Sequence, residues 1–374
     1  MSKCRYCAFN SIVAKNEIIE NYIKALCKEI ETQSPNDSKF SFASDSLVET
    51  IYFGGGTPSI LSIAQFSKIF DALEASFNLN RCKEITIEAN PGTLSTQKLK
   101  LLSSFRIANC AFRISLGVQS FNDNLLKILG RIHTSQQAIE AVESAKKIFN
   151  NVSIDLMYEL PNQTLKDVDE SLKIANNLEV NHISIYGLEI EPETEFDRLN
   201  KINELNLPTS EEGDKMYDLI TSELPKFGFN RYEISNFAKI GFESQHNLGY
   251  WSDIPYLGFG AGAHSYNKFL RWSNVSNVDN YINAINNDVE FRQVEEVVTK
   301  KTAMEEFCFL GLRKTEGINI KTFKEKFKIE IETIFKDEIK KLIDKNLLKS
   351  EKDFLRLTPL GMKYGNLVFA EFLL

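Results

Sequence analysis

The stretch ETIYFGGGTP, residues 49–58, runs from an acidic residue through four β-branched or aromatic residues into three glycines and a proline. The first half reads as a strand. The second half reads as its abrupt end, where three glycines let a ligand approach the backbone and the proline stiffens the exit. Four further runs share the character of the first half: EITIEANP from Glu84, FRISLGVQS from Phe112, VSIDLMYELP from Val152 and HISIYGLEIEP from His182. Their starts are spaced by roughly 28–40 residues, the length of one strand–helix–strand crossover. Between them, segments such as SIAQFSKIFDALEASF and AIEAVESAKKIF place apolar residues three and four apart, on one helical face. The pattern predicts an α/β fold with a parallel sheet, open or closed into a barrel. The apolar character of the runs predicts strands buried on both faces. YEISNFA, from Tyr232, is a candidate sixth strand.

Beyond Asn274 this rhythm is lost. From Thr299 the chain reads as helical and then passes through LLKSEKDFLRLTPLG, a charged hairpin, which together resemble a winged-helix module. The expected division is residues 1–205 as a partial barrel, 206–298 as a region that completes it, and 299–374 as the winged-helix-like unit. A chain of 374 residues with 43% hydrophobic residues is long enough for such a core and an appended domain. Net charge is −7, and no basic block supplies the footprint that nucleic acid requires. No apolar run reaches spanning length and the start lacks the marks of a secretory signal, so a cytoplasmic protein without stable membrane insertion is expected.

Six cysteines are present, at 4, 7, 27, 82, 110 and 308. Cys4 and Cys7 form a CxxC, which in a reducing compartment points to metal or redox chemistry. Zinc would want a second pair at ligand spacing, and a thioredoxin-like pair would want a preceding strand; neither is seen. Cys27 lies on an apolar stripe and reads as a core thiol, while Cys82, Cys110 and Cys308 have no partner at ligand spacing. Ligands of parallel βα folds bind at the carboxyl ends of the strands. There stand the loop of Gly54 to Pro58, then Glu88, Gln119, Arg131 and Asp155. Singly each has a plain structural reading. Together they suit an amino acid, a ribose and a carboxylate.

KCRYCAFN, GGGTPSIL, EANPGT, RISLGVQSFND, LGRIHT, DLMYELPNQT and HNLGYW occur in this order along the chain. The set resembles the radical S-adenosylmethionine enzymes related to oxygen-independent coproporphyrinogen III oxidase, and within them the haem chaperones. The resemblance implies an incomplete parallel (β/α)6-type barrel with a small winged-helix-like C-terminal domain, a [4Fe-4S] cluster, S-adenosylmethionine and an electron donor to the cluster. It implies cluster ligation by Cys4 and Cys7, with Tyr6 against the cofactor. Gly55, Gly56, Thr57 and Glu88 would contact S-adenosylmethionine, and Gln119, Arg131 and Asp155 a second molecule of it. His246, in HNLGYW, would meet haem, which a chaperone passes to apo-haemoprotein recipients. An imidazole beside aromatic rings suits a porphyrin, although a lone loop histidine is more often structural.

The chain departs from the family pattern in two places. The family has CxxxCxxC, and counting back from Cys4 puts the first cysteine immediately before Met1. An internal methionine of a longer reading frame is the favoured expectation, with a two-ligand homologue as the alternative. The oxidases also carry a cysteine where Phe9 stands, which favours the chaperone over the oxidase; a cluster-free binding protein derived from the family is the third reading.

Overall fold

The computed structural model describes residues 3–12, 15–32, 47–105, 107 and 110–373. Helix α1 (Asn16–Thr32) precedes five strands, β1 (Thr50–Phe53), β2 (Glu84–Ala89), β3 (Ala111–Gln119), β4 (Asn151–Tyr158) and β5 (His182–Gly187), which pair parallel in sequence order. Helices α2 (Ile63–Ser76), α3 (Thr96–Leu102), α4 (Asp123–Ile128), α5 (Ser135–Lys146) and α6 (Leu165–Asn177) make the crossovers. After β5 come α7 (Glu195–Lys201) and α8 (Ser210–Lys226). Ser62, Thr134, Thr164 and Thr209 close capping boxes with Gln65, Gln137, Asp167 and Glu212, so these helix starts are written locally.

The candidate sixth strand is present but reversed. Short strands β6 (Asn230–Arg231) and β7 (Asn236–Ala238) form a tight hairpin, and β7 pairs antiparallel with β5. The Tyr232 N–H donates to the Asn236 carbonyl at 3.2 Å, turning the chain back before any crossover can intervene. The seven-stranded sheet therefore has β1 and β6 as its edges, and the barrel stays open.

Burial on both faces is correct, but only one face is apolar. Side chains alternate along each strand. Ile85, Ile87, Ile114, Leu116, Ile154 and Ile183 point outward into the core beneath the helices. The inward set is polar: Glu84, Thr86, Arg113, Ser115, Ser153 and Ser184 are all buried. Cys82 and Cys110, read as isolated thiols, are paired in a disulfide with Cα atoms 5.3 Å apart. Glu84 lies opposite Ala111 in the parallel register, so the residues leading into β2 and β3 are neighbours across a separation that linear spacing hides.

Past the hairpin, α9 (Gln245–Trp251) carries HNLGYW. Strands β8 (His264–Tyr266), β9 (Leu270–Asn274) and β10 (Arg292–Val297) form a separate antiparallel sheet, with α10 (Val278–Asn286) between the last two. Glu29 of α1 is buried against this region, accepting hydrogen bonds from the Gly260 N–H (2.8 Å), Asn274 Nδ2 (2.7 Å) and the Tyr281 hydroxyl (2.5 Å). The C-terminal unit holds α11 (Lys300–Leu312), β11 (Ile318–Asn319), α12 (Ile320–Phe327), α13 (Ile331–Asp344) and the hairpin β12 (Leu348–Glu351) and β13 (Phe354–Leu357). Its own core is built on Phe323, Phe335, Leu342 and Phe372. Among the described residues no helix is long and apolar enough to cross a membrane.

Candidate functional site

The polar inner face converges on the mouth where β1 to β5 end. The Cys4–Cys7 turn is closed by a Cys7 N–H to Cys4 carbonyl bond of 3.2 Å. Arg5 pins it to the barrel rim: its N–H donates to the Leu129 carbonyl and its carbonyl accepts from the Phe196 N–H, both at 3.1 Å. Tyr6 turns into the small apolar cluster of Leu125, Leu129 and Phe196, and burial pushes its hydroxyl above the ordinary tyrosine value. Burial also pushes the Cys7 thiol up, so at neutral pH it keeps its proton unless a metal displaces it.

Arg131 connects the thiols to the sheet. Nη1 reaches Cys4 Sγ at 3.4 Å, while Nη2 donates to Asn90 Oδ1 and to the Gly117 carbonyl. Asn90 in turn donates from Nδ2 to Thr57 Oγ1 at 3.2 Å, so one chain of contacts runs from Cys4 to the glycine loop. Gly117 is closely packed: a Cβ there would lie 3.0 Å from Gln119 Nε2 and 3.2 Å from Asn90 Oδ1, so those side chains would have to give way. Next to it β3 bulges, and Gln119 takes a left-handed backbone with φ 66°, a costly conformation for a non-glycine residue. Asp155 lies opposite Gly117 in register and accepts from Ser115 Oγ at 3.2 Å. Burial raises its carboxyl, with the Ser184 and Ser115 hydroxyls opposing.

At the end of β1 the glycine loop splits by role. A Cβ on Gly54 would sit 2.6 Å from Tyr52 Cε1 and 3.1 Å from Glu88 Cδ, whereas Gly55, at φ +82°, and Gly56 face open space. This bare backbone beside a buried carboxylate is a cradle of the kind S-adenosylmethionine needs. Glu88 accepts from the Tyr52 hydroxyl at 2.6 Å and from the Gly55 N–H. Burial, opposed by the Tyr52 bond and reinforced by the nearby Asp155, raises its carboxyl to about 7. A cubane cluster fits less completely: Cys4 and Cys7 are two donors, and no third metal-ligating side chain joins them among the described residues.

Helix α9 packs at the opposite end of the sheet, where β1 and β2 begin. The Glu84 carboxylate, on the inner face of β2, accepts from Ser244 Oγ (3.4 Å) and from the Gln245 and His246 N–H groups (3.3 Å each), an anion at a helix start. The His246 imidazole stacks on Tyr52 with ring centres 4.8 Å apart. Its Nδ1 meets Thr50 Oγ1 at 2.8 Å and its Nε2 the Tyr250 hydroxyl at 3.1 Å. Burial lowers it to about 4, so the ring is neutral at physiological pH, the form that ligates iron. The structure thus brings Cys4, Tyr6, Thr57, Glu88 and Arg131 to the carboxyl end of the sheet through Asn90 and Gly117, while His246 lies at the strand starts, held by Glu84 and linked to that end only through Tyr52; the sequence reading passed over these four linking residues. Tyr186, 42% exposed on the inner face of β5, joins them. The missed signal was alternation: ETE in EITIEA, RS in RIS and HSY in HISIY occupy every second position.

An open parallel barrel with a thiol turn, a glycine cradle and a buried carboxylate at its mouth defines the radical S-adenosylmethionine class, and residues 1–175 match the Radical SAM superfamily. Residues 298–364 match the HemN C-terminal domain. The chain is 39% identical over 372 residues to Heme chaperone HemW of Lactococcus lactis, covering 99% of this chain and 94% of the relative. It is also 39% identical over 381 residues to Heme chaperone HemW of Bacillus subtilis, covering 99% and 96%. The chain belongs to this HemW family. Coproporphyrinogen III oxidase (HemN) from Escherichia coli shares the fold, with a TM-score of 0.84 at 21% identity, over 99% of this chain and 87% of that one.

Proposed function

We propose that this chain is a cytoplasmic haem chaperone that binds haem and passes it to apo-haemoproteins, using a [4Fe-4S] cluster and S-adenosylmethionine. The observation that carries the reading is full-length likeness to proteins named Heme chaperone HemW. The barrel interior supports it, since a neutral imidazole among aromatic rings near the strand starts is joined through Tyr52 to a buried carboxylate and a bare glycine backbone at the strand ends. Cys4 and Cys7 would supply two cluster thiolates, and Arg131 and Tyr6 would shape the wall beside them. Gly55, Gly56, Thr57 and Glu88 would hold S-adenosylmethionine, with Gln119, Arg131 and Asp155 as the wall for a second molecule. When bound, the cluster offers an open iron to the amino-acid end of S-adenosylmethionine and, with an external donor, an electron. Phe9, 65% exposed where the oxidases carry a cysteine, sets this chain apart from them.

Ferric haem titrated into the anaerobically purified full chain should give a saturable Soret band. His246→Ala should weaken binding by about tenfold, the effect of losing one good ligand contact. Haem released to an apo-globin should appear as the holo-globin spectrum. A wild-type chain with no saturable band overturns the proposal, and unchanged affinity in His246→Ala removes that histidine from it.

A further inference from the structure

The haem motif and the S-adenosylmethionine cradle share one side chain. We propose that Tyr52 is a positioning residue that ties the His246 imidazole to the Glu88 carboxylate, so that haem and S-adenosylmethionine weaken each other's binding. This inference rests on the haem reading above and adds the link between its two ligands.

Tyr52 touches three parts of the site. One face of its ring carries the imidazole of His246, with ring centres 4.8 Å apart and planes 25° from parallel. Its hydroxyl donates to Glu88 Oε1 at 2.6 Å. Its edge lies against the Gly54 backbone so closely that no Cβ would fit. The imidazole, for its part, has no nitrogen to spare, because Thr50 Oγ1 holds Nδ1 and the Tyr250 hydroxyl holds Nε2. Coordination of iron by either nitrogen breaks one of these bonds. It also turns the ring out of a packed position, since a porphyrin cannot enter between rings already in contact. Docked and presented imidazole are therefore two discrete arrangements, the kind of element through which two sites can be coupled.

The sign of the coupling follows from what the docked ring supports. While His246 lies on Tyr52, the phenol is held edge-on to Gly54 with its hydroxyl on Glu88, and the carboxylate stays beside the Gly55 N–H at the cradle. Departure of the imidazole frees one face of the phenol and lets the hydroxyl leave the carboxylate. Glu88 then loses its strongest neutral donor in a buried setting, and the cradle loses its fixed acceptor. By linkage, each ligand raises the other's Kd by one and the same factor, here expected at about 3–10-fold.

The test is equilibrium dialysis of isotope-labelled S-adenosylmethionine against the anaerobically purified full chain, with and without one equivalent of ferric haem, paired with Soret titrations of haem in the presence and absence of S-adenosylmethionine. Wild type should show the same antagonistic factor in both directions. Tyr52→Phe keeps the ring under the imidazole and removes the hydroxyl, and should bring the factor below about twofold. Thr50→Val also touches His246 but not Glu88; it should alter haem affinity and keep the antagonism. Where Tyr52→Phe fails to fold by circular dichroism, Glu88→Ala removes the acceptor, breaks the link from its other end and should lose the factor likewise. Independent binding of the two ligands by wild type, or full antagonism in the folded Tyr52→Phe or Glu88→Ala chain, overturns the link while leaving haem binding standing. Absence of haem binding in every chain overturns the chaperone reading and the link with it.

Discussion

Glu88 shows how a binding residue sets itself against stability. Its carboxyl is raised from 4.5 to about 7, first by burial, so the folded chain holds the proton over a range in which the unfolded chain has released it. The contribution to stability is then greatest below pH 4.5 and declines as pH rises toward 7, the reverse of a salt-bridged carboxylate. Glu88→Gln removes the titration. Urea unfolding across pH 4–8 should show wild type losing up to about 3 kcal/mol relative to Glu88→Gln as pH rises through this window. The variant should be the more stable chain at pH 8 and the poorer binder of S-adenosylmethionine. Parallel pH profiles for the two proteins would refute the assignment. Glu88 was legible from sequence because it stands at a strand end. Tyr52 was not, because inside ETIYF it reads as one more apolar strand residue, and only the pleat of β1 turns it toward Glu88 and His246.

At the scale of elements, α9 is short and has no buried residue of its own. Seven residues are too few to be helical alone, so its ends hold it. Glu84 takes three donors at the first turn. At the other end the Arg313 guanidinium lies 4.4 Å from the Trp251 ring centre, Lys314 Nζ donates to Ser252 Oγ at 3.1 Å, and Lys326 Nζ pairs with Asp253 at 2.5 Å. An acid at the start and cations at the finish match the helix dipole. Glu84→Gln halves the acceptors at a buried position and should cost about 1–3 kcal/mol in urea unfolding. Amide hydrogen exchange in residues 244–252 should accelerate with it, while β3 and β4 stay protected; uniform exchange throughout would show that α9 does not depend on Glu84. The five parallel strands and most helix starts were readable from alternating runs and capping residues. HNLGYW could be found as a motif, yet its being a helix could not, because the carboxylate that anchors it lies about 160 residues earlier and the cations about 60 to 75 later.

For the molecule as a whole, those three cations also belong to the join between its two cores. The C-terminal unit buries Phe323, Phe335 and Phe372 in a core distinct from that of the barrel. It meets the rest of the chain through Ile234 packed on its core, the Thr315 N–H on the Tyr232 carbonyl at 3.0 Å, Lys363 Nζ on Asp214 and Asp218 of α8 at 3.1 and 3.0 Å, Glu306 paired with Arg271, and the residues that grip α9. Polar contacts around one apolar anchor hold less than either core does, so the coupling of the two units should be breakable while both stay folded. Arg313 has its Nε buried without a hydrogen-bond partner, as has Trp251 Nε1, which leaves the ring contact as the chief attraction between them. The triple variant Arg313→Ala, Lys314→Ala, Lys326→Ala removes the cations and leaves both cores intact. In scanning calorimetry wild type should unfold in one cooperative transition, and the triple variant in two, with the C-terminal unit separating from the barrel. The variant should also weaken haem binding, because α9 is then held only at its Glu84 end. A single transition in the variant, together with unchanged exchange in residues 244–252, would mean that the two units are joined by the Ile234, Tyr232, Lys363 and Arg271 contacts instead, and that the grip on α9 comes from the barrel alone.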